Sequence, residues 1–308
     1  MPCCHCTLRV RDVLQRDRAL DVGVQHALLR ERREPLPARR SAGQHDRNRA
    51  LAGAQPGEEC IHRRADGGGG IATAPLSEAP QPVITTPDTA PTRDDLDVPV
   101  LTLQTETDLT FLESVAARQP DTARFRLWEV AGTAHADTYV AGVGITDLGD
   151  SPAAARLVIT KSAVPGVTCR APINSGPHHF VAKAAIAALN RWVRQGTPPP
   201  IAPHLEVSAD PPYALAHDAH GNALGGIRTP QVDVPIATFS GDGRGSIVCL
   251  LFGMTTPFAA PTLAELYPTN DAYVTAFNAA TDRAVQAGFI LGPDAALMKA
   301  AATTAIPE

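Results

Sequence analysis

The stretch VPVLTLQTETDL, residues 98–109, followed at residues 125–137 by FRLWEVAGTAHAD, decides the fold. Each is an apolar run that ends in polar, chemically capable residues. Val98–Gln104 reads as a short buried strand. Leu109–Arg118 reads as a helix closed before Pro120, and Phe125–Val130 as the next strand, alternating and rich in aromatics. Strand, helix and strand within so short a span imply a right-handed parallel βαβ unit. In open parallel sheets ligands bind beyond the carboxyl ends of the strands, and Glu106, Asp108 and His135 all fall there.

An imidazole works as a general base when a carboxylate fixes its tautomer and stabilises its protonated form. His135 follows a Gly-Thr-Ala turn after the second strand, and Asp108 and Glu106 follow the first, so either acid can be its partner. The competing reading for Asp108 is a cap on the helix beginning at Leu109. For His135 the competing reading is a loop histidine bonded to backbone.

Outward from this unit, His178–Gln195 carries an apolar stripe of helical period, with Gly196 as its stop and Pro198–Pro200 barring continuation. Leu205–Phe239 reads as short strands with turns at His220-Gly221-Asn222 and Gly225-Gly226, and helices return at Leu263–Tyr267, Asp271–Ala287 and Asp294–Ala302. The expected class is α/β, with a β-rich excursion before the terminal helices.

Composition divides the chain in three. Residues 1–65 hold thirteen Arg, eight acidic residues and no Lys, and no aromatic occurs before Phe111. Without the side chains that bury most area, this segment reads as disordered or as not native. Arg without Lys is also what out-of-frame translation of a GC-rich gene produces. Residues 66–97, with Gly67–Gly70 and many prolines, read as an irregular loop, and residues 98–308 as the globular part. The formal net charge of −5 gives no reason to expect nucleic acid or a membrane surface as partner. The sequence has no export signal or membrane-length apolar run, so the chain reads as soluble, its compartment open. No residue set suggests a metal or cofactor: Cys3-Cys4-His5-Cys6 lacks a second half, and His178-His179 lacks ligands at suitable spacing. Cys169 and Cys249 are open to pairing or to burial as free thiols.

RADGGGG, DVPVLTLQTETDL, FRLWEVAGTAHAD, INSGPHHFVAKAA, LNRWVRQGTPPP, DAHGNALGGIRTPQVDVPIA and LFGMTTPF together resemble the α/β-hydrolase domain-containing proteins, large esterase-like enzymes. The resemblance covers about residues 61–302. It implies a serine hydrolase of small-molecule esters, with Val98–Gln104 the penultimate core strand and Phe125–Val130 the last. Asp108, or Glu106, would be the triad acid and His135 the base. The fold's order of serine, acid, histidine is kept for the last two. The serine is the departure: no Gly-x-Ser-x-Gly occurs in the 308 residues. Ser41 has Arg39 where the elbow needs a small residue, and Ser175 follows the histidine in the chain. The expectation is therefore the C-terminal part of a hydrolase fold that is itself inactive, or a non-catalytic remnant or interaction protein.

Overall fold

A computed structural model describes residues 91–93 and 95–305. The readings of residues 1–65 and of most of the 66–97 loop lie outside the described residues.

Strand β1 (Val100–Thr105) and strand β2 (Phe125–Val130) pair in parallel, Val100 opposite Phe125 and Thr105 opposite Val130. Ile227 extends this sheet by a parallel bridge to Val130. The class is α/β. Every residue of β2 is buried, Arg126 and Glu129 included, so the alternation in FRLWEV does not mark a solvent face. Its polar side chains are paired internally instead, as buried charges must be. Arg118 grips both Glu129 oxygens at 2.7 Å, and Glu129 Oε2 also accepts from Leu205 N. Arg126 donates to Pro199 O.

The single helix expected over Leu109–Arg118 is two pieces. Helix α1 (Glu106–Thr110) is followed by a 3-10 turn over Ser114–Ala117, and Glu113 between them sits in the left-handed region at φ 55°. A left-handed residue ends an α-helix, and nothing in the spacing of apolar residues announces it. The next helix agrees with expectation: α2 (His178–Gln195) ends at Gly196, φ 71°. It packs on β1.

The excursion is built from isolated bridges, Leu205 to Gly225, Val207 to Leu215 and His217 to Ala223. A helical turn, α3 (Pro230–Asp233), interrupts it. Strand β3 (Ser162–Val164) pairs with β4 (Val167–Thr168). Strand β5 (Ala237–Ser240) pairs antiparallel with β6 (Met254–Pro257), with α4 (Ile247–Leu251) between them. Helices α5 (Ala260–Leu266), α6 (Asn270–Gln286) and α7 (Gly292–Ala302) complete the described chain.

The main core lies where α2, α6 and α7 meet the sheet, around Trp128, Phe180, Phe277 and Met298. Trp128 is fully buried, donates its indole N–H to Pro200 O and meets Phe289 edge-on. That is why the proline run after α2 is held against the sheet. The segment after the His135 turn is tied to the helices by charge. Lys183 of α2 donates to Asp294 of α7 at 3.0 Å and lies 3.9 Å from Asp147, which accepts from the Tyr139 hydroxyl.

Candidate functional site

The end of β1 fixes the acid. Thr105 is the N-cap of α1, and Asp108 is its third residue, not the cap of a helix starting at Leu109. The two form a reciprocal capping box: Asp108 Oδ2 accepts from Thr105 N and from Thr105 Oγ1, both at 2.8 Å. One carboxylate oxygen is thereby committed to the helix start. The other, Oδ1, lies 2.8 Å from His135 Nδ1. A carboxylate only accepts, so Nδ1 carries the proton in this contact. Asp108 is nearly enclosed, its side chain 3 % exposed, and that of His135 is 11 % exposed.

The end of β2 fixes the histidine. Gly132 takes φ 72°, and a side chain there would meet Val232 Cγ2 at 2.6 Å, so only glycine makes this turn. Thr133 closes it by donating its hydroxyl to Val130 O. Thr107, beside Asp108, donates to Gly241 O and accepts from His135 N. One hydroxyl thus joins α1, the histidine and the segment after β5.

Glu106 occupies a different place from Asp108. Its Oε1 accepts from Gly132 N and its Oε2 from Gly241 N, with the residue wholly buried. Burial pushes its carboxyl up to about 8, against the pull of those two backbone donors. It clamps the turn that carries His135 to the end of β5. Gly241 is required for this approach, since a Cβ there would fall 2.4 Å from the Glu106 Cβ.

A second group holds the turn from the other side. Asn174, fully buried, donates to Gly132 O and Ser240 O and accepts from Gly176 N. Its backbone carbonyl takes Thr138 N, and Ala136 N donates to Leu251 O at the end of α4. Helix α4 is itself stapled. Cys249 within it is disulfide-bonded to Cys169, with a Cα separation of 5.6 Å. Next to the histidine, Asp137 is buried and turns its Oδ1 to Val140 N, and burial raises its carboxyl to about 7.

A family model described as an alpha/beta hydrolase domain matches residues 53–300. The chain belongs to that family. The match starts upstream of Ile61, so part of the Arg-rich segment falls within it. No curated protein and no solved structure matched the chain.

In this alpha/beta hydrolase the other singled-out residues have local duties. Ser175 precedes α2, donates its N–H to the Thr255 hydroxyl, and accepts on Oγ from Thr138 Oγ1 and Val158 N. His179 is buried and stacked 3.9 Å from the Tyr139 ring, and burial lowers its imidazole well below the usual range. Asp218 closes the hairpin turn, accepting from His220 N and Asn222 N, and pairs with Arg228. Among the described residues no cluster of His, Cys, Asp and Glu could hold a metal ion, and no helix is long and apolar enough to cross a membrane.

The clamps made by Glu106, Thr107 and Asn174 are absent from the sequence reading. The backbone groups they tie together lie 26 to 135 residues away, which no local pattern reveals. Gly132 and Gly241 were the available hint, as glycines within two residues of the ends of two strands.

Proposed function

We propose that His135 and Asp108 are the base and acid of a serine hydrolase acting on carboxylic esters of small molecules, with β1 the penultimate and β2 the last core strand of a partial α/β-hydrolase fold. The 2.8 Å contact between His135 Nδ1 and Asp108 Oδ1 carries the reading. In such a site the imidazole Nε2 takes the proton of the serine hydroxyl as its oxygen adds to the ester carbonyl. It then gives that proton to the departing alcohol, and water repeats the sequence on the acyl intermediate. Backbone N–H groups near the serine would hold the oxyanion. Asp108 holds Nδ1–H throughout, and its own orientation is held by Thr105.

The serine itself is missing from the sequence as a Gly-x-Ser-x-Gly elbow. This supports the second half of the proposal: the polypeptide is inactive or nearly so, a scaffold that keeps the pair. A non-catalytic remnant or interaction protein is the alternative supported by the same observation. The encoding DNA separates the two. Translation upstream of Ile61 in all three frames should yield an apolar run followed by a Gly-x-Ser-x-Gly-like elbow. The protein made in the restored frame should hydrolyse simple aryl esters, and His135→Ala should abolish this. If no frame yields an elbow, the hydrolase reading fails and the remnant reading stands.

A further inference from the structure

Seven large hydrophobic side chains are well exposed among the described residues, and five of them stand on segments gathered round the Cys169–Cys249 disulfide. Val140, Ile145, Leu148, Ile159 and Ile247 are each between 40 and 65 % exposed. Exposed apolar residues scattered singly are ordinary on a protein surface, whereas gathered ones mark a contact site.

One small core does the gathering, with both cysteines inside it. Ala141, next to Val140, packs on it, as do Val164 and Val167 of the β3–β4 hairpin and Val248, next to Ile247. Ile159 is joined through its neighbours: Thr160 O accepts from Ile173 N, and Lys161 O from Cys169 N. Ile145 and Leu148 flank Asp147, whose buried carboxylate accepts from the Tyr139 hydroxyl, Gly149 N and Ser151 N. The backbone that presents these side chains is therefore held in place. The charge of the same segments is one-sided. Residues 151–175 and 243–251 carry Arg156, Lys161, Arg170 and Arg244 and no acid, in a chain of net charge −5. All four cations are exposed. The acids that border the two stretches are Asp150 and Asp242, and Asp242 Oδ1 accepts from the Thr110 hydroxyl.

We propose that this face docks on an anionic phospholipid bilayer, its aliphatic side chains reaching the boundary of headgroups and acyl chains and its cations lying among the phosphates. Apolar insertion and attraction to anionic lipid act together in peripheral binding. A bilayer offers both at once over the whole width of the patch. The net charge of the chain hides this face because it averages over more acidic segments. Ala136 N donates to Leu251 O of α4, so the face adjoins the turn that carries His135. The proposal concerns binding alone and is independent of whether the chain is catalytic.

Flotation of the full chain at rising lipid concentration tests it, with phosphatidylcholine vesicles and with vesicles of equal parts phosphatidylcholine and phosphatidylglycerol. The chain should float with the mixed vesicles only, and less so as salt rises. Lys161→Gln, Arg170→Gln and Arg244→Gln should each weaken binding about fivefold, and Ile145→Ser and Ile247→Ser about tenfold. Arg191→Gln and Arg194→Gln, at exposed positions near the far end of α2, remove the same charge elsewhere and should leave binding unchanged. No flotation, or equal flotation with both kinds of vesicle, would overturn the proposal. So would binding undiminished by the five patch substitutions, which would assign it to the thirteen Arg of residues 1–65. An equal loss in the two α2 variants would overturn it as well.

Discussion

Glu106→Gln is the substitution whose outcome the structure fixes most closely. The folded carboxyl titrates at about 8 and the ordinary value is 4.5. Between those values the folded state holds a proton that the unfolded state has released. Stability therefore falls as pH rises through this window, because the unfolded chain binds fewer protons. From about pH 5 to about pH 7 this group alone should remove about 2–3 kcal/mol. Glutamine does not titrate and lacks this dependence. It also brings one carbonyl oxygen to two backbone donors, Gly132 N and Gly241 N. One buried N–H is left facing the amide nitrogen, at a cost of about 1–3 kcal/mol at every pH. The variant should be the less stable protein near pH 5, and the gap should close as pH rises to 7. Urea denaturation of both proteins across this range measures it. A gap that stays constant from pH 5 to pH 7 would mean that Glu106 is ionised in the folded protein as it is in the unfolded one, the two donors outweighing burial, and would refute the reasoning.

Asp108→Asn should change the tautomer of His135. Thr105 N needs an acceptor, which turns the new amide nitrogen towards Nδ1; nitrogen NMR shifts should report a proton moved to Nε2. Glu129→Ala removes the two carboxylate oxygens that Arg118 grips, leaving it only Leu205 O, and removes the acceptor of Leu205 N. Broken buried pairs cost about 3–5 kcal/mol, and the partial exposure of Arg118 places the loss in denaturant titration at about 3 kcal/mol. Reduction of Cys169–Cys249, which spans 80 residues, should cost about 4 kcal/mol by loop entropy and lower Tm by about 10 °C.

What was legible in the sequence is what short periods encode. β2 and α2 have the residues expected of them because apolar spacing, Gly196 and the proline run act locally. The meeting of Asp108 with His135 was legible because both follow the ends of consecutive strands, and parallel pairing in register brings those ends together. The choice between Asp108 and Glu106 was not. They differ by two positions in a helical first turn, which turns them to different sides: one to the imidazole, the other to Gly132 and Gly241. The break at Glu113 was hidden because any residue type can be forced into the left-handed region by its surroundings. The cysteine pair was left open because connectivity is a property of the folded chain, not of spacing.

The central claim is that the chain retains the base and acid of a serine hydrolase and lacks the nucleophile they serve. Incubation of the purified polypeptide with a fluorophosphonate probe tests it most directly. The account predicts no labelling above that of His135→Ala, at any serine. Stoichiometric labelling that His135→Ala abolishes would contradict it, and the labelled residue would be the nucleophile.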